Sequence, residues 1–475
     1  MSNMKKLTTP IMVLIIFFFA FSFFLAGQEV EAGQAAGKEA EPDLFETPDC
    51  LKDNVAFWKK IYAEISLEEG LIHDSEYPLV IYQKVTVGNL KGRQRRQMVG
   101  KYMDAIKQSL KIINGKPQSQ WSEKEKEIFA LFQLHGDITD LKDAPARLRF
   151  QLGQKERFKE GVERAAAYLD YIRKVFTEYG VPLRIAYLPH VESSFNINAY
   201  SKVGAAGMWQ FMRKTGRLFM NVGYNVDERR DPFKSTVAAA KLLKLNFAEL
   251  QSWPLAITAY NHGTESMKRA AELFGTKDLG VIIEKYKYRK FRFVSKNFYS
   301  CFLAASEIAA NPEQYFSNLD YQPPIPYNEI TLDSYFKPAV LAKHLGISQE
   351  ELADLNPALR ISVFRHQMSI PRGFRLRIPP SITPEAAATR IAAVPRTSPG
   401  AGSQGYQYYS VEKGDTLYRI ALDFGVSMET ILAANDIERE NRLSIGQVLR
   451  IPVKNNTTAS SAAKDVKNTG PQLQR

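Results

Sequence analysis

Residues 192–211 read ESSFNINAYSKVGAAGMWQF, and AYNHG follows at 259–263. The first stretch sets one carboxyl group, Glu192, beside a glycine-rich turn, an amide at Gln210 and several aromatic rings. The second adds the pair Tyr260-Asn261. A proton-donating carboxyl, flat apolar surfaces and a backbone bare of side chains at Gly204 and Gly207 are what a glycan-cleaving groove requires. To give up a proton near neutral pH, Glu192 needs apolar neighbours that disfavour its charged form, and Phe195, Met208, Trp209 and Phe211 are the candidates in sequence.

Helix signals surround these segments. A long helix is predicted from about Phe158 to Tyr179, closed by Gly180 and Pro182, and a second helix carries IAYLPHVE into the motif. Asp231-Pro232 reads as an N-cap followed by a first-turn proline. Ser252 and Ser295 read as caps of two further helices, with Pro312 just past the last. Residues 158–320 are therefore expected to be almost wholly helical. Residues 43–157 are also predicted helical, because Phe57, Trp58, Ile61 and Ile65, then Met98, Tyr102, Ile106 and Leu110, recur at helical spacing. Arg93, Arg95 and Arg96 read as a solvated face.

The C-terminal third holds an internal repeat. ISQEELADLNPAL at 347–359 parallels VSMETILAANDIE at 426–438, and both copies close on Ile-Pro, at 378–379 and 451–452. Each copy opens with a short β-like segment, giving the order strand, helix, helix, strand, over 327–380 and 406–453. Residues 381–405, rich in Ala, Pro, Ser and Gly, read as a linker, and 454–475 as a disordered tail.

Bulk properties narrow the function. The net charge of +12 suits an anionic polymer or surface, but no nucleic-acid-binding motif accompanies it. His190 and Glu192 stand as HVE, not as a zinc-binding H-E-x-x-H, and neither a phosphate loop nor a G-x-S-x-G elbow occurs, so no metal or cofactor is expected. The two cysteines, Cys50 and Cys301, imply no disulfide framework, and Cys301 reads as a core thiol. Lys5 and Lys6 precede an apolar run from Ile11 to Leu25, so residues 1–32 read as a secretory signal, with an uncleaved anchor as the alternative. Gln28 stands where a lipoprotein would carry cysteine.

ESSF, GAAGMWQF and AYNHG, in this order and spacing, resemble the lytic murein transglycosylases of the membrane-bound D type. Residues 409–452 resemble a LysM peptidoglycan-binding module; the copy at 327–380 is degenerate, with Tyr335-Phe336-Lys337 where Gly414-Asp415-Thr416 stand in the other. The resemblance implies a mainly α protein, with a lysozyme-like catalytic domain and small βααβ modules. It implies Glu192 as sole catalytic acid and base, cutting between N-acetylmuramic acid and N-acetylglucosamine to leave a 1,6-anhydro end. Ser201 would bond the glutamate or the sugar, Gln210 would be the groove amide, and Gly207, Met208, Phe211, Tyr260 and Asn261 would complete the substrate site. His262 departs from the small residue usual after the asparagine. In the module, Gly414, Asp415, Thr416 and Leu417 of one loop and Ile445 and Gly446 of another would hold glycan, with Asp415 and Thr416 also capping a helix. The implied partner is peptidoglycan in the cell envelope or periplasm, with membrane attachment only through the N-terminal apolar segment. A lysozyme-type hydrolase and a non-cutting wall-binding scaffold are the alternatives.

Overall fold

The computed structural model describes residues 44–452 apart from 202, 224, 365–367, 398–405, 413, 436 and 438–442. The expected signal or anchor at 1–32 and the expected tail at 454–475 lie outside the described residues. Among those described, no helix is long and apolar enough to cross a membrane.

The fold is mainly α, as expected, but residues 43–157 are not wholly helical. Helices Lys52–Ala63, Gly92–Gly115 and Glu123–His135 are joined by three strands, β1 (Glu69–Asp74), β2 (Ile81–Thr86) and β3 (Leu148–Leu152). They form an antiparallel sheet of order β2-β1-β3, in which Ile72 pairs with Gln83 and Phe150. Strand alternation sends neighbouring residues to opposite faces: Leu71 joins the core shared with Phe158, Phe195 and Trp209, whereas Ile72 joins a second core with Ile106, Leu110 and Phe132. Buried polar residues disguise β1. Asp74 is fully buried because the Arg147 Nε donates to both its carboxylate oxygens at 2.9 Å.

The first core crosses the expected boundary at residue 158 without a break, running from Phe45 to Phe316. Trp58 and Asn54, on the first helix, donate to Asn297 Oδ1 at 3.0 and 2.9 Å, and Tyr62 stacks on Phe158 at 5.0 Å. The long helix predicted from 158 to 179 is two, Lys155–Ala165 and Leu169–Tyr179, because Tyr168 (φ −125°, ψ −23°) leaves helical geometry and buries its ring. Gly180 ends the second at φ 66°, as expected. Asp231 caps Pro232–Leu250 by accepting from Phe233 N and Lys234 N at 2.9 and 3.0 Å. Ser252 precedes Trp253–His262 but makes no capping bond, and Ser295 lies inside Phe293–Ala310 rather than at its cap.

Both C-terminal copies fold alike. In the first, β4 (Asn328–Thr331) pairs antiparallel with β5 (Arg375–Ile378) around helices Pro338–Leu345 and Gln349–Leu355. In the second, β6 (Tyr406–Ser410) pairs with β7 (Val448–Pro452) around Leu417–Phe424 and Met428–Asn435. One asparagine locks each copy in the same way. Asn356 exchanges bonds with the Arg377 backbone at 2.8 and 2.9 Å, and Asn435 with the Arg450 backbone at 2.7 and 2.6 Å. The expected linker is partly structure: Pro384–Ala392 is a helix, capped by Thr383, that buries Ala387 and Ile391 in the first copy's core. Its alanines read as linker composition, but Thr-Pro at its start is a helix-opening pair.

Candidate active site

Glu192 is the penultimate residue of a short helix, Leu188–Ser193. The chain leaves this helix through two consecutive left-handed residues, Ser194 (φ 51°) and Phe195 (φ 57°). Neither is glycine, so the bend is held against an intrinsic cost of about 1 kcal/mol or more per residue. Two features hold it. The Arg164 Nε and Nη2 donate to Ser194 O at 3.0 and 2.9 Å, and Phe195 is fully buried. Gly161 lets helix Lys155–Ala165 approach, since a Cβ there would stand 3.0 Å from Ser194 Cβ. Arg164 and Gly161 carry no motif signal; they stand on helix Lys155–Ala165, separated from the motif in sequence by helix Leu169–Tyr179.

The Glu192 carboxyl is half-buried and makes no hydrogen bond among the described residues. It lines a pocket of about 360 Å³ with Tyr62, Phe158, Asn261, Phe298 and Cys301. No other carboxylate is among the described residues of that lining. Burial pushes the Glu192 carboxyl up to about 8 from 4.5, because the charged form loses its water without gaining a cation. The expected apolar neighbours are replaced by more distant ones in sequence: Phe195, Met208, Trp209 and Phe211 are core side chains, and rings from residues 58–62, 158 and 293–298 form the walls.

The glycine-rich segment is a turn. Ala206 bridges Phe211, and Gly207 N donates to Ala199 O at 2.9 Å. Met208 and Phe211 are 1% and 2% exposed, so only their backbone is available to a ligand. Ser201 Oγ accepts from Ala205 N at 2.9 Å and Val203 N at 3.3 Å, which makes it a turn residue here rather than a partner of Glu192. Gln210 sits at φ 48° and its Nε2 donates to Gly207 O at 2.9 Å, leaving the amide oxygen for a ligand. Tyr260 OH donates to Trp209 O at 2.8 Å; burial, then the nearby Glu192 charge, raises its pKa. Asn261 reaches the pocket and is tied to His262 through Ser295, whose Oγ donates to Asn261 Oδ1 at 3.3 Å and lies 3.0 Å from His262 Nδ1.

Arg229 clamps the turn from behind, and the charged loop DERRDP gave no hint of it. It is fully buried, donates to Gly204 O at 2.8 Å and Phe211 O at 3.0 Å, and grips both oxygens of buried Asp227 at 2.9 and 2.8 Å. Asp227 is thereby consumed by structure. Gly207 is obligatory in this packing: at φ 79°, a Cβ would fall 1.8 Å from Arg229 O.

His190 is buried beside Phe158 and Phe195, at 4.8 and 4.6 Å between ring centroids, and burial lowers its pKa to about 3. It is a neutral core ring, and no cluster of three metal-ligating side chains occurs among the described residues. A larger cleft of about 590 Å³ lies between Arg213, Arg217 and the strand residues Tyr406–Tyr408, away from Glu192. In the second C-terminal copy, Thr416 caps its helix through Arg419 N at 3.2 Å, and Asp415 accepts from Tyr409 OH and Glu412 N at 2.5 and 2.7 Å. Gly414 and Gly446 take φ 92° and 86°, Ile445 is 70% exposed, and Leu417 is buried in the module's core. In the first copy, Phe336 is buried and bridged to Ile370 where the glycine loop would be.

Residues 170–281 match the Transglycosylase SLT domain, and residues 409–452 match the LysM domain. The chain therefore joins a transglycosylase-type domain to a LysM domain. It is 29% identical to membrane-bound lytic murein transglycosylase D of Escherichia coli over 308 residues, covering 61% of this chain and 64% of that one. It is also 42% identical over 55 residues to the N-acetylmuramoyl-L-alanine amidase XlyB of Bacillus subtilis, 12% of this chain and 17% of that one. The chain thus spans less than two thirds of the length of either relative. Among solved structures, the lytic transglycosylase Slt of Pseudomonas aeruginosa aligns at 16% identity and TM-score 0.27, over 48% of this chain and 35% of that one. The 70 kDa soluble lytic transglycosylase of Escherichia coli aligns at 16% and 0.28, over 49% and 37%. These two likenesses are too slight to bear on the arrangement described above.

Proposed function

We propose that this protein is a peptidoglycan lytic transglycosylase, and that Glu192 is its one catalytic carboxyl. The observation that carries the reading is the pocket itself. It holds a single carboxyl, pushed up to about 8 by burial, among aromatic walls. A hydrolase of the usual kind positions a second carboxylate for water or for a covalent intermediate. A transglycosylase needs neither.

In the proposed route, protonated Glu192 gives its proton to the oxygen linking N-acetylmuramic acid to N-acetylglucosamine. The C1–O bond breaks and N-acetylglucosamine leaves with a free 4-hydroxyl. The carboxylate left on Glu192 then takes the proton of the muramic C6 hydroxyl, whose oxygen closes on C1. The enzyme ends protonated, as it began, and no water is consumed. The attacking hydroxyl belongs to the same sugar, so it acts at high effective concentration. The pKa of about 8 keeps most Glu192 protonated at neutral pH yet permits the return transfer.

Around this centre, Gln210 through its amide oxygen, Tyr260 and Asn261 would contact glycan, with the backbones of Gly207, Met208 and Phe211. Ser201 would act by shaping the turn. Gly414, Asp415, Thr416, Leu417, Ile445 and Gly446 would form or support the LysM sugar site. Residues 1–32 would direct the chain to the envelope, as a signal or an anchor. Digestion of purified peptidoglycan, followed by mass spectrometry of the released muropeptides, tests the reading. Anhydro products lighter by one water than hydrolytic ones, absent with Glu192→Gln, are expected. Reducing muramic ends would mean hydrolysis, and wall binding without release would mean a scaffold.

A further inference from the structure

A second charged group lines the Glu192 pocket, and the proposed chemistry leaves it unused. Arg149 stands in β3 opposite His73 of β1, with its guanidinium 3.9 Å from the centroid of the Phe293 ring. Its Nε is buried without a hydrogen-bond partner. Four other buried or half-buried arginines face carboxylates: Arg147 meets Asp74 at 2.9 Å, Arg213 meets Glu412 at 2.9 Å, Arg229 meets Asp227 at 2.8 Å and Arg377 meets Asp231 at 2.7 Å. Among the described residues, Arg149 has no such partner. Burial lowers its pKa, as expected for a cation deprived of water without compensation.

An unpaired, partly desolvated guanidinium at a ligand pocket is costly to the fold unless a ligand supplies the anion. Its guanidinium lies over the Phe293 ring at the pocket wall, and a guanidinium can meet a planar carboxylate through two N–H groups. The amides of Gln151 and Gln154 line the same wall. Glu192 does not fill the role: it lines the same pocket, but no ion pair or hydrogen bond joins it to Arg149 among the described residues.

We propose that Arg149 is a specificity-determining residue that binds a carboxylate carried by the glycan substrate, so that the sheet of residues 69–152 selects which strands reach Glu192. The inference rests on the peptidoglycan reading. In that polymer a carboxylate has two sources: the lactyl group of muramic acid where no peptide is attached, or the stem peptide where one is.

The test is calorimetric binding to the full chain carrying Glu192→Gln, which needs no turnover. The probes are peptide-free glycan tetrasaccharides, the same tetrasaccharides bearing peptides, and chitin tetrasaccharide, which has no carboxylate. Adding Arg149→Gln is expected to weaken binding of a carboxylate-bearing probe about tenfold or more and chitin less than about twofold, the range of a charge-assisted hydrogen bond. Loss confined to the peptide-free probe assigns the lactyl carboxylate, and loss confined to the peptide-bearing probe assigns the stem peptide. Arg149→Lys keeps the charge and the stem and is expected to retain an intermediate preference. Equal losses for all three probes with both variants would make Arg149 a packing residue and overturn the proposal, as would unchanged affinities. Failure of the Glu192→Gln protein to bind any probe would instead remove the peptidoglycan reading beneath it.

Discussion

Replacing Glu192 by glutamine is expected to stabilise the protein in alkali and to do little in acid. The carboxyl titrates at about 8 in the fold, against an ordinary value of 4.5. A raised folded pKa means that the native state holds its proton more tightly. The stability contributed by that proton is complete below pH 4.5, falls as pH rises towards 8, and is gone above it. The span from 4.5 to about 8, at about 1.4 kcal/mol per unit, sets a ceiling of roughly 5 kcal/mol. The carboxyl keeps some access to pocket water, which reduces the expected effect to about 1–3 kcal/mol. Glutamine has the same shape and no charge, so its protein escapes the loss. Unfolding of both proteins, followed by heat and by urea from pH 4 to pH 9, gives the difference directly, and every other titrating group cancels. The gap is expected to open between pH 4.5 and 8 and then stay level. Parallel stability curves, or a less stable variant at pH 9, would refute the claim that burial holds this carboxyl protonated.

Four further outcomes are expected. Arg229→Met leaves the buried Asp227 carboxylate with only the looser Arg360 pair at 4.0 Å and releases Gly204 O and Phe211 O, so melting is expected to show a loss of about 2–4 kcal/mol. Gly207→Ala drives a Cβ into Arg229 O and is expected to abolish muropeptide release while far-ultraviolet dichroism keeps its helical signal. Tyr260→Phe removes the bond to Trp209 O and is expected to cost about 0.5–1.5 kcal/mol in urea unfolding. Glu412 bonds both Tyr200 and Arg213 at 2.5 and 2.9 Å, so a double-mutant cycle of Glu412→Gln with Arg213→Met is expected to return a coupling of about 1–2 kcal/mol.

The candidate site stood out in the sequence because its residue types are unusual together: a carboxyl, a glycine turn and a Tyr-Asn pair in fixed order. Asp231-Pro232 and Gly180 were legible because caps are local. What escaped reading is non-local. The β1 strand hides behind buried His73 and Asp74, whose burial depends on partners elsewhere, such as Arg147 some 73 positions away. The helix Pro384–Ala392 hides in alanine-rich sequence, since alanine serves a helix and a linker equally. Ser295 looked like a cap, and only the fold brings it between Asn261 and His262. Arg164, Arg229 and Arg149 act on backbone carbonyls, a buried acid and a pocket wall, none of which a local pattern announces.

The core that runs unbroken from Phe45 to Phe316 bears on how this protein can be dissected. A fragment beginning at residue 158 would keep Glu192 and every residue of the recognisable motif. It would also be stripped of Trp58, Tyr62 and Arg149, leaving Asn297 without its donors and one side of the pocket open to water. Water at that side would restore the carboxyl to ordinary acidity. Inactivity in such a truncated protein would then report a missing wall rather than a missing catalyst, and the smallest heritable unit of this active site begins more than a hundred residues before its glutamate.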